Sequence, residues 1–253
     1  MKIAIVTGAS AGMGREFVKA IDRNFSLDEI WVIARRGERL EALRADCRTP
    51  LRPLALDLTE PESRDALRKL LEAEKPELDL LVNAAGYGLF GTFADMGYEE
   101  QLGMIDLNVT VLTAVCHICL PYLHKGSSIV NLASNASWQP VPYMNVYAAS
   151  KAYVLSFSRA LGRELKPKGI HVMSVCPFWV KTEFFDRAVR DDTITYSNHI
   201  WLPEEIIDRA MKDLRKRRRV SVCGLQVKAQ VLAVKLLPVD FVMNTWCRQQ
   251  KKP

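Results

Sequence analysis

Short runs of β-branched and leucine-rich residues alternate along the chain with longer amphipathic stretches. The runs at 2–7, 29–34, 51–57, 78–83, 127–133, 171–176 and 220–223 are nearly unbroken in apolar residues. Strands covered on both faces have that pattern. The stretches at 15–23, 38–47, 62–74, 102–123 and 145–165 carry apolar residues at helical spacing. This alternation predicts an α/β architecture of three layers, a parallel sheet of about seven strands with helices on both faces. No internal repeat or low-complexity linker divides the 253 residues, so one domain spanning 1–253 is expected. Residues 184–202 lack a strong pattern, and a lid is expected at about 183–203.

Composition narrows the class. Hydrophobic residues make up 49% and charged residues 25%, ordinary values for a soluble globular chain. A chain of this length buries a large core without staples. No run of about 18 apolar residues is evident, so no spanning helix is expected. The first strand begins at Lys2, which leaves no room for a signal peptide. The six cysteines then read as thiols in a reducing, cytoplasmic setting. Cys116 and Cys119 flank His117 in C-H-I-C, but no second pair at metal spacing accompanies them; packed thiols on a helix are expected, and no metal. Net charge is +6, unevenly spread. Residues 212–253 hold 11 basic and 2 acidic residues, a local +9 that leaves −3 elsewhere. Nucleic-acid binding by the whole protein is therefore not implied.

The first strand runs into T-G-A-S-A-G-M-G, residues 7–14. Gly8, Gly12 and Gly14 let the backbone approach a pyrophosphate, and Ser10 and Met13 lie between them. The helix that follows offers unpaired N–H groups and a positive dipole end. The spacing is G-x-x-x-G-x-G rather than the common G-x-G-x-x-G. Its place between the first strand and the first helix gives it weight. The second strand ends in Ala34, Arg35 and Arg36, where an acid would hydrogen-bond the ribose of NAD. Guanidinium groups instead suit a 2′-phosphate, so NADP(H) is the expected cofactor.

N-V-Y-A-A-S-K sets Tyr147 and Lys151 four residues apart on one helix face. A neighbouring ammonium favours a phenolate, so Lys151 is expected to lower the Tyr147 pKa. Tyr147 could then exchange a proton with a carbonyl or alcohol oxygen. Ser134 follows the fifth strand at the end where open α/β sheets place ligands. Asn108 lies in an otherwise apolar helix, and a buried amide there needs partners.

Together these residues resemble the short-chain dehydrogenase/reductase family over about residues 2–182. The resemblance rests on T-G-A-S-A-G-M-G, L-D-L at Asp57, N-A-A-G at 83–86, L-N-V at Asn108, N-L-A-S at Ser134, then Tyr147 and Lys151. It implies a doubly wound Rossmann sheet of order 3-2-1-4-5-6-7. It implies that Asp57, with Leu58 beside it, faces the adenine. Asn83, Ala84 and Gly86 would line the cofactor site. Asn108, Ser134, Tyr147 and Lys151 would form the catalytic set. Ser134 would hold the substrate oxygen, Lys151 would grip the nicotinamide ribose, and Asn108 would hold a water linking Lys151 to solvent. Ser134 lies 13 residues before Tyr147, as the family requires; the rival Ser137 lies only ten before it. After the sixth strand the family has P-G, whereas this chain has Pro177 and Phe178. Val180 and Thr182 keep the following V-x-T, expected at the nicotinamide.

Aromatic residues crowd the same region. Tyr87, Trp138, Tyr143, Phe178, Trp179 and Phe184 are candidate substrate contacts, and Phe90, Val141, Met144, Phe185 and Trp201 are further apolar neighbours. Such a lining suits a bulky apolar ketone or alcohol of hydroxysteroid, bile-acid or lipid type. A 3-oxoacyl carrier-protein substrate, a silent nucleotide-binding regulator and a membrane-surface protein are the competing readings. The expected partners are the small apolar substrate and further copies of the chain, as a homodimer or homotetramer. The basic, amphipathic segment 225–253 has three uses open to it: peripheral membrane contact, a partner subunit, or cover for the substrate pocket.

Overall fold

Seven strands form one parallel sheet: β1 (Lys2–Thr7), β2 (Glu29–Ala34), β3 (Leu51–Ala55), β4 (Glu77–Asn83), β5 (Leu123–Leu132), β6 (His171–Val175) and β7 (Val220–Ser221). Their order is 3-2-1-4-5-6-7, as expected. This computed structural model describes residues 1–189, 194 and 200–252. Part of the expected lid, residues 190–193 and 195–199, lies outside the described residues. β3 stops at Ala55, two residues short of the predicted end, and carries Pro53. A proline cannot donate to a ladder, and β3 accommodates it as an edge strand. The other edge strand, β7, is shorter than its apolar run.

Helices α1 (Gly12–Asn24), α2 (Gly37–Ala42) and α8 (Pro203–Arg215) pack with one face of the sheet. Helices α3 (Pro61–Glu74), α4 (Tyr98–Ile105), α5 (Leu112–Cys119) and α6 (Asn145–Glu164) belong to the other side. Alternation along β1 divides the core. Ile3 and Ile5 join Trp31, Leu67, Val115 and Val154 in one cluster, while Ala4 and Val6 join Phe17, Ile21, Ile207 and Met211 in the other. The predicted patterns missed α8, which begins at Pro203 with Glu204 and Glu205 in its first turn and buries Ile206, Ile207, Ala210, Met211 and Leu214. Proline at N1 and acids in the first turn are favourable helix starts. After it come α9 (Leu225–Leu236) and α10 (Val239–Gln249), preceded in the chain by the short α7 (Phe184–Ala188).

One helical stretch corrects an expectation. Tyr98–Tyr122 is 25 residues long with an 18-residue window of hydropathy 1.6, enough by length and composition alone to cross a membrane. Asp106, Asn108, Thr110, Thr113 and His117 interrupt its apolar run, which hides its length in the sequence. The helix contains a π-type segment, Asp106–Val111, and its inner residues Met104, Val111 and Val115 pack in the core. Cys116 and Cys119 are buried in the same layer, and Cys116 Sγ accepts a hydrogen bond from Asn83 Nδ2 at 3.2 Å.

Candidate active site

A cleft of about 570 Å³ runs along the C-terminal ends of the central strands. Its floor at one end is the glycine loop. Gly8 has φ +70, and a Cβ there would come within 2.7 Å of the Ala85 backbone. A Cβ on Gly14 would lie 2.2 Å from the Gly8 carbonyl oxygen. The chain passes this point only because both residues lack side chains. No side chain caps the start of α1 at Ala11, so its first N–H groups stay available to an anion. This cradle fits a dinucleotide pyrophosphate. Thr182 lies against the loop, with its Cβ 3.3 Å from where a Gly12 Cβ would be.

The ends of β2 and β3 supply charge. Arg35 Nη1 lies 3.7 Å from Asp57 Oδ2. Arg36 Nη2 donates to Ser10 Oγ at 3.3 Å, and its Nη1 donates to Glu183 Oε2 at 3.1 Å. Asp57 Oδ1 accepts from the Thr59 amide at 3.1 Å and hydroxyl at 2.7 Å, which holds its carboxylate in the cleft wall. Of the expected cofactor residues, Asn83 alone falls outside the cleft lining. Its Nδ2 donates to Asn131 Oδ1 at 2.9 Å, and Asn131 in turn donates to Ser158 at 2.9 Å. Asn83 therefore ties β4 to β5 beneath the site instead of lining it.

Tyr147 and Lys151 project from one face of α6 into the middle of the cleft. Lys151 Nζ lies 5.8 Å from the Tyr147 ring centroid and donates to the Leu132 carbonyl at 2.9 Å. Burial pushes the Tyr147 phenol up to about 12, against a smaller downward pull from its hydrogen bond with Ser134. Burial also pulls Lys151 down to about 8. The expected sign at Tyr147 is thus reversed. Both groups lie out of water, and desolvation is the largest cause at each. At neutral pH this arrangement presents a protonated phenol beside an ammonium, which suits proton donation to a carbonyl oxygen.

Two hydroxyls near Ser134 divide the work. Ser134 Oγ accepts from the Ala136 amide at 3.2 Å and faces the cleft. Ser137 Oγ donates to the Lys151 carbonyl at 2.8 Å and accepts from the Ser134 amide at 3.2 Å. The rival serine is therefore engaged in holding the turn against α6. Asn108 is fully buried in the π-type segment. Its Oδ1 accepts from the Tyr87 amide at 3.1 Å, and its Nδ2 donates to the Tyr87 carbonyl at 2.9 Å and Ser150 Oγ at 3.0 Å. It pins the Gly86–Tyr87 backbone to α6 and does not line the cleft.

The far end is a wall of rings. Trp179 packs edge-on to Phe90 at 6.1 Å and against Phe185 at 5.6 Å. Phe184 lies 5.5 Å from Tyr147 and 6.1 Å from Phe90. Phe178, in the family's glycine position, is absent from the positive-φ residues, so the loop adopts a path that a side chain tolerates. The base of the insert is stapled: Val180 bridges to Trp201, the Trp201 amide donates to the Trp179 carbonyl at 2.8 Å, and Lys181 donates to Trp201 at 2.9 Å. Tyr87, Phe178, Trp179 and Phe184 line the cleft as expected, but Trp138 and Tyr143 do not. Trp138 is clasped between Arg159 at 4.7 Å and Lys235 at 4.2 Å, and these cations hold its ring outside the cleft. Tyr143 sits at φ 64, and its carbonyl accepts from the Gly91 amide at 2.9 Å.

Two lining residues come from the C-terminal segment, which the motifs did not single out. Trp246 of α10 stacks on Trp179 at 6.4 Å, and its Nε1 donates to the Pro142 carbonyl at 2.9 Å. Gln230 of α9 reaches the same cleft. Trp246 and Gln230 thus bring this segment to the pocket, one of the three uses open to it.

The comparisons agree with this geometry. The family described as short chain dehydrogenase matches residues 2–193. The serine 3-dehydrogenase of Agrobacterium fabrum is 35% identical over 185 residues, covering 71% of this chain and 72% of the relative. Hydroxysteroid dehydrogenase-like protein 1 of Gallus gallus is 31% identical over 229 residues, covering 85% and 66%. A short-chain dehydrogenase from Sphingobium yanoikuyae, solved in complex with NADPH, superposes with a TM-score of 0.81 at 28% identity and covers 98% of this chain and 96% of that one. By the family match, and by its sheet order, glycine loop and Tyr147–Lys151 pair, the chain belongs to the short-chain dehydrogenase/reductase family.

Proposed function

We propose that this oxidoreductase is NADP(H)-dependent and interconverts a ketone and a secondary alcohol that carry bulky apolar groups, of hydroxysteroid, bile-acid or lipid type. The observation that carries this reading is the continuity of one cleft. Arg36 and Ser10 stand at one end, Ser134, Tyr147 and Lys151 in the middle, and the rings of Phe90, Trp179, Phe184 and Trp246 at the other. The glycine loop, Asp57, Ala84, Gly86 and Thr182 would hold the dinucleotide, with the 2′-phosphate on Arg35 and Arg36. When bound, its nicotinamide supplies or accepts the hydride. The chain's own part is placement and proton transfer. Ser134 and Tyr147 hold the substrate oxygen, and Tyr147 gives it a proton during reduction. Lys151 keeps positive charge beside that phenol. The rings exclude water and fix the side chains of the ketone.

The NADPH of the Sphingobium yanoikuyae neighbour and the hydroxysteroid name of the chicken relative support the same reading. Assembly of two or more copies is supported by Tyr98, Leu102, Ile105 and Tyr153, large side chains exposed on α4 and α6. The test is NADPH consumption with a panel of ketones graded in size. Ketones flanked by two large apolar groups should exceed small and sugar carbonyls by about tenfold or more in kcat/KM. NADPH binding without turnover of any ketone would overturn the reading in favour of a silent regulator.

A further inference from the structure

Glu183 stands where no cofactor residue was expected, between the cofactor end of β2 and the substrate side. Two arginines from α2 and its N-terminal edge converge on its one carboxylate. Arg39 Nη1 donates to Glu183 Oε1 at 2.6 Å and Oε2 at 3.0 Å, and Arg36 Nη1 donates to Oε2 at 3.1 Å. These contacts span 144 and 147 residues of sequence, and Arg36 and Glu183 both line the cleft. The second arm of the Arg36 fork rests on Ser10 Oγ at 3.3 Å, inside the glycine loop. Two guanidinium groups converging on one anion are what a phosphate monoester takes. Arg39 first, then Arg36, holds the Glu183 carboxyl below its usual range. The side chains are about half exposed, at 46% for Arg36, 45% for Arg39 and 50% for Glu183. Ion pairs in such exposure are weak and exchange readily.

We propose that Glu183, held by Arg39, is a specificity-determining residue that competes with the cofactor's 2′-phosphate for Arg36, and that binding of a 2′-phosphorylated dinucleotide displaces it. The proposal rests on the NADP reading above. It adds a residue that lowers the advantage of NADPH over NADH, because only the phosphorylated cofactor must evict the carboxylate. The consequence reaches the substrate side. Glu183 precedes α7, whose first residue Phe184 packs 5.5 Å from the Tyr147 ring. Eviction therefore moves the residue next to a ring that touches the catalytic phenol.

The experiment measures the affinity of wild type and Glu183→Gln for NADPH, NADH and the fragment 2′,5′-ADP by calorimetry or fluorescence. The amide keeps the size of the side chain and removes its charge. Glu183→Gln should bind NADPH and 2′,5′-ADP about fivefold more tightly, the scale of two half-exposed ion pairs that no longer have to be broken. NADH affinity should be unchanged. Glu183→Asp, which keeps the charge, should stay near wild type. Unchanged NADPH affinity in Glu183→Gln would overturn the proposal, and so would equal weakening of NADPH and NADH, which would mark Glu183 as a clamp on the shared pyrophosphate. The parent reading fails separately, when wild type binds NADH as tightly as NADPH. Selective tightening of NADPH in Glu183→Gln would still uphold the competition.

Discussion

The two ends of the cleft are built from different materials. The end beside β1 and β2 is backbone and exposed charge: glycines that admit no Cβ, uncapped N–H groups, and arginines half in water. The end beside α7 and α10 is side chain against side chain, six aromatic rings linked by pairwise contacts. The glycine loop of the first end tolerates no side chain, because a Cβ at Gly14 would lie 2.2 Å from the Gly8 carbonyl oxygen. The second can adapt by turning rings. Its outer element, α10, buries none of its own helical residues. A shared cofactor calls for the first kind of site, and a bulky, individual substrate for the second. Tyr147 and Lys151 stand at the junction, on a helix embedded in the core.

The contrast breaks most sharply at that junction. Tyr147→Phe keeps the ring and its contact with Phe184 while removing the proton. Turnover should fall by about a thousandfold, within the range for loss of a general acid. NADPH affinity should stay within about twofold of wild type, because the glycine loop and arginines are untouched. Single-turnover kinetics with a fluorescence titration of NADPH separates the two. Substantial residual turnover would remove Tyr147 from the proton path.

The next effect is one of pH. Lys151 is drawn down to about 8 and Tyr147 held at about 12. Below pH 8 the ammonium and the neutral phenol coexist, and ketone reduction should be flat. Above it Lys151 loses its charge while Tyr147 stays protonated, so reduction should fall by about tenfold per unit if the ammonium is required. Binding of NADPH through its adenosine end should not follow the same curve. A reduction rate that stays flat or rises through pH 8 would show that the Lys151 ammonium is not required for the step.

The same division explains what could be read before the structure. Residues 7–14 and the Tyr147–Lys151 pair encode geometry through spacing alone, since a turn and one helical step fix where the groups lie. The sheet order follows from the alternation once the resemblance is granted. Trp138 and Tyr143 lie outside the cleft because nearness to Ser134 and Tyr147 in sequence says nothing about which way a turn faces. Trp138 follows Arg159 and Lys235 instead, and Lys235 arrives from α9. Trp246, Gln230 and Glu183 enter through tertiary docking across long sequence separations, for which no local pattern exists. The pKa of Tyr147 was read with the wrong sign because burial, unlike spacing, is a property of everything packed around the ring.

The smallest expected effect tests whether the aromatic end is a true substrate wall. Trp246 lines the cleft, stacks on Trp179 and donates to the Pro142 carbonyl. Trp246→Ala removes one aromatic pair, worth about 0.5–1.5 kcal/mol beyond its buried area. For a ketone large enough to reach the far wall, KM should rise by about fivefold. For a small ketone held only near Ser134 and Tyr147, it should not change. The kcat for both, and the NADPH affinity, should stay near wild type, since no group at the junction or the phosphate end has moved. Equal rises for large and small ketones would place Trp246 in the general packing of α10 and not in recognition. A loss in kcat would instead mean that the stack positions Phe184 against Tyr147, and that the two ends of the cleft are mechanically joined.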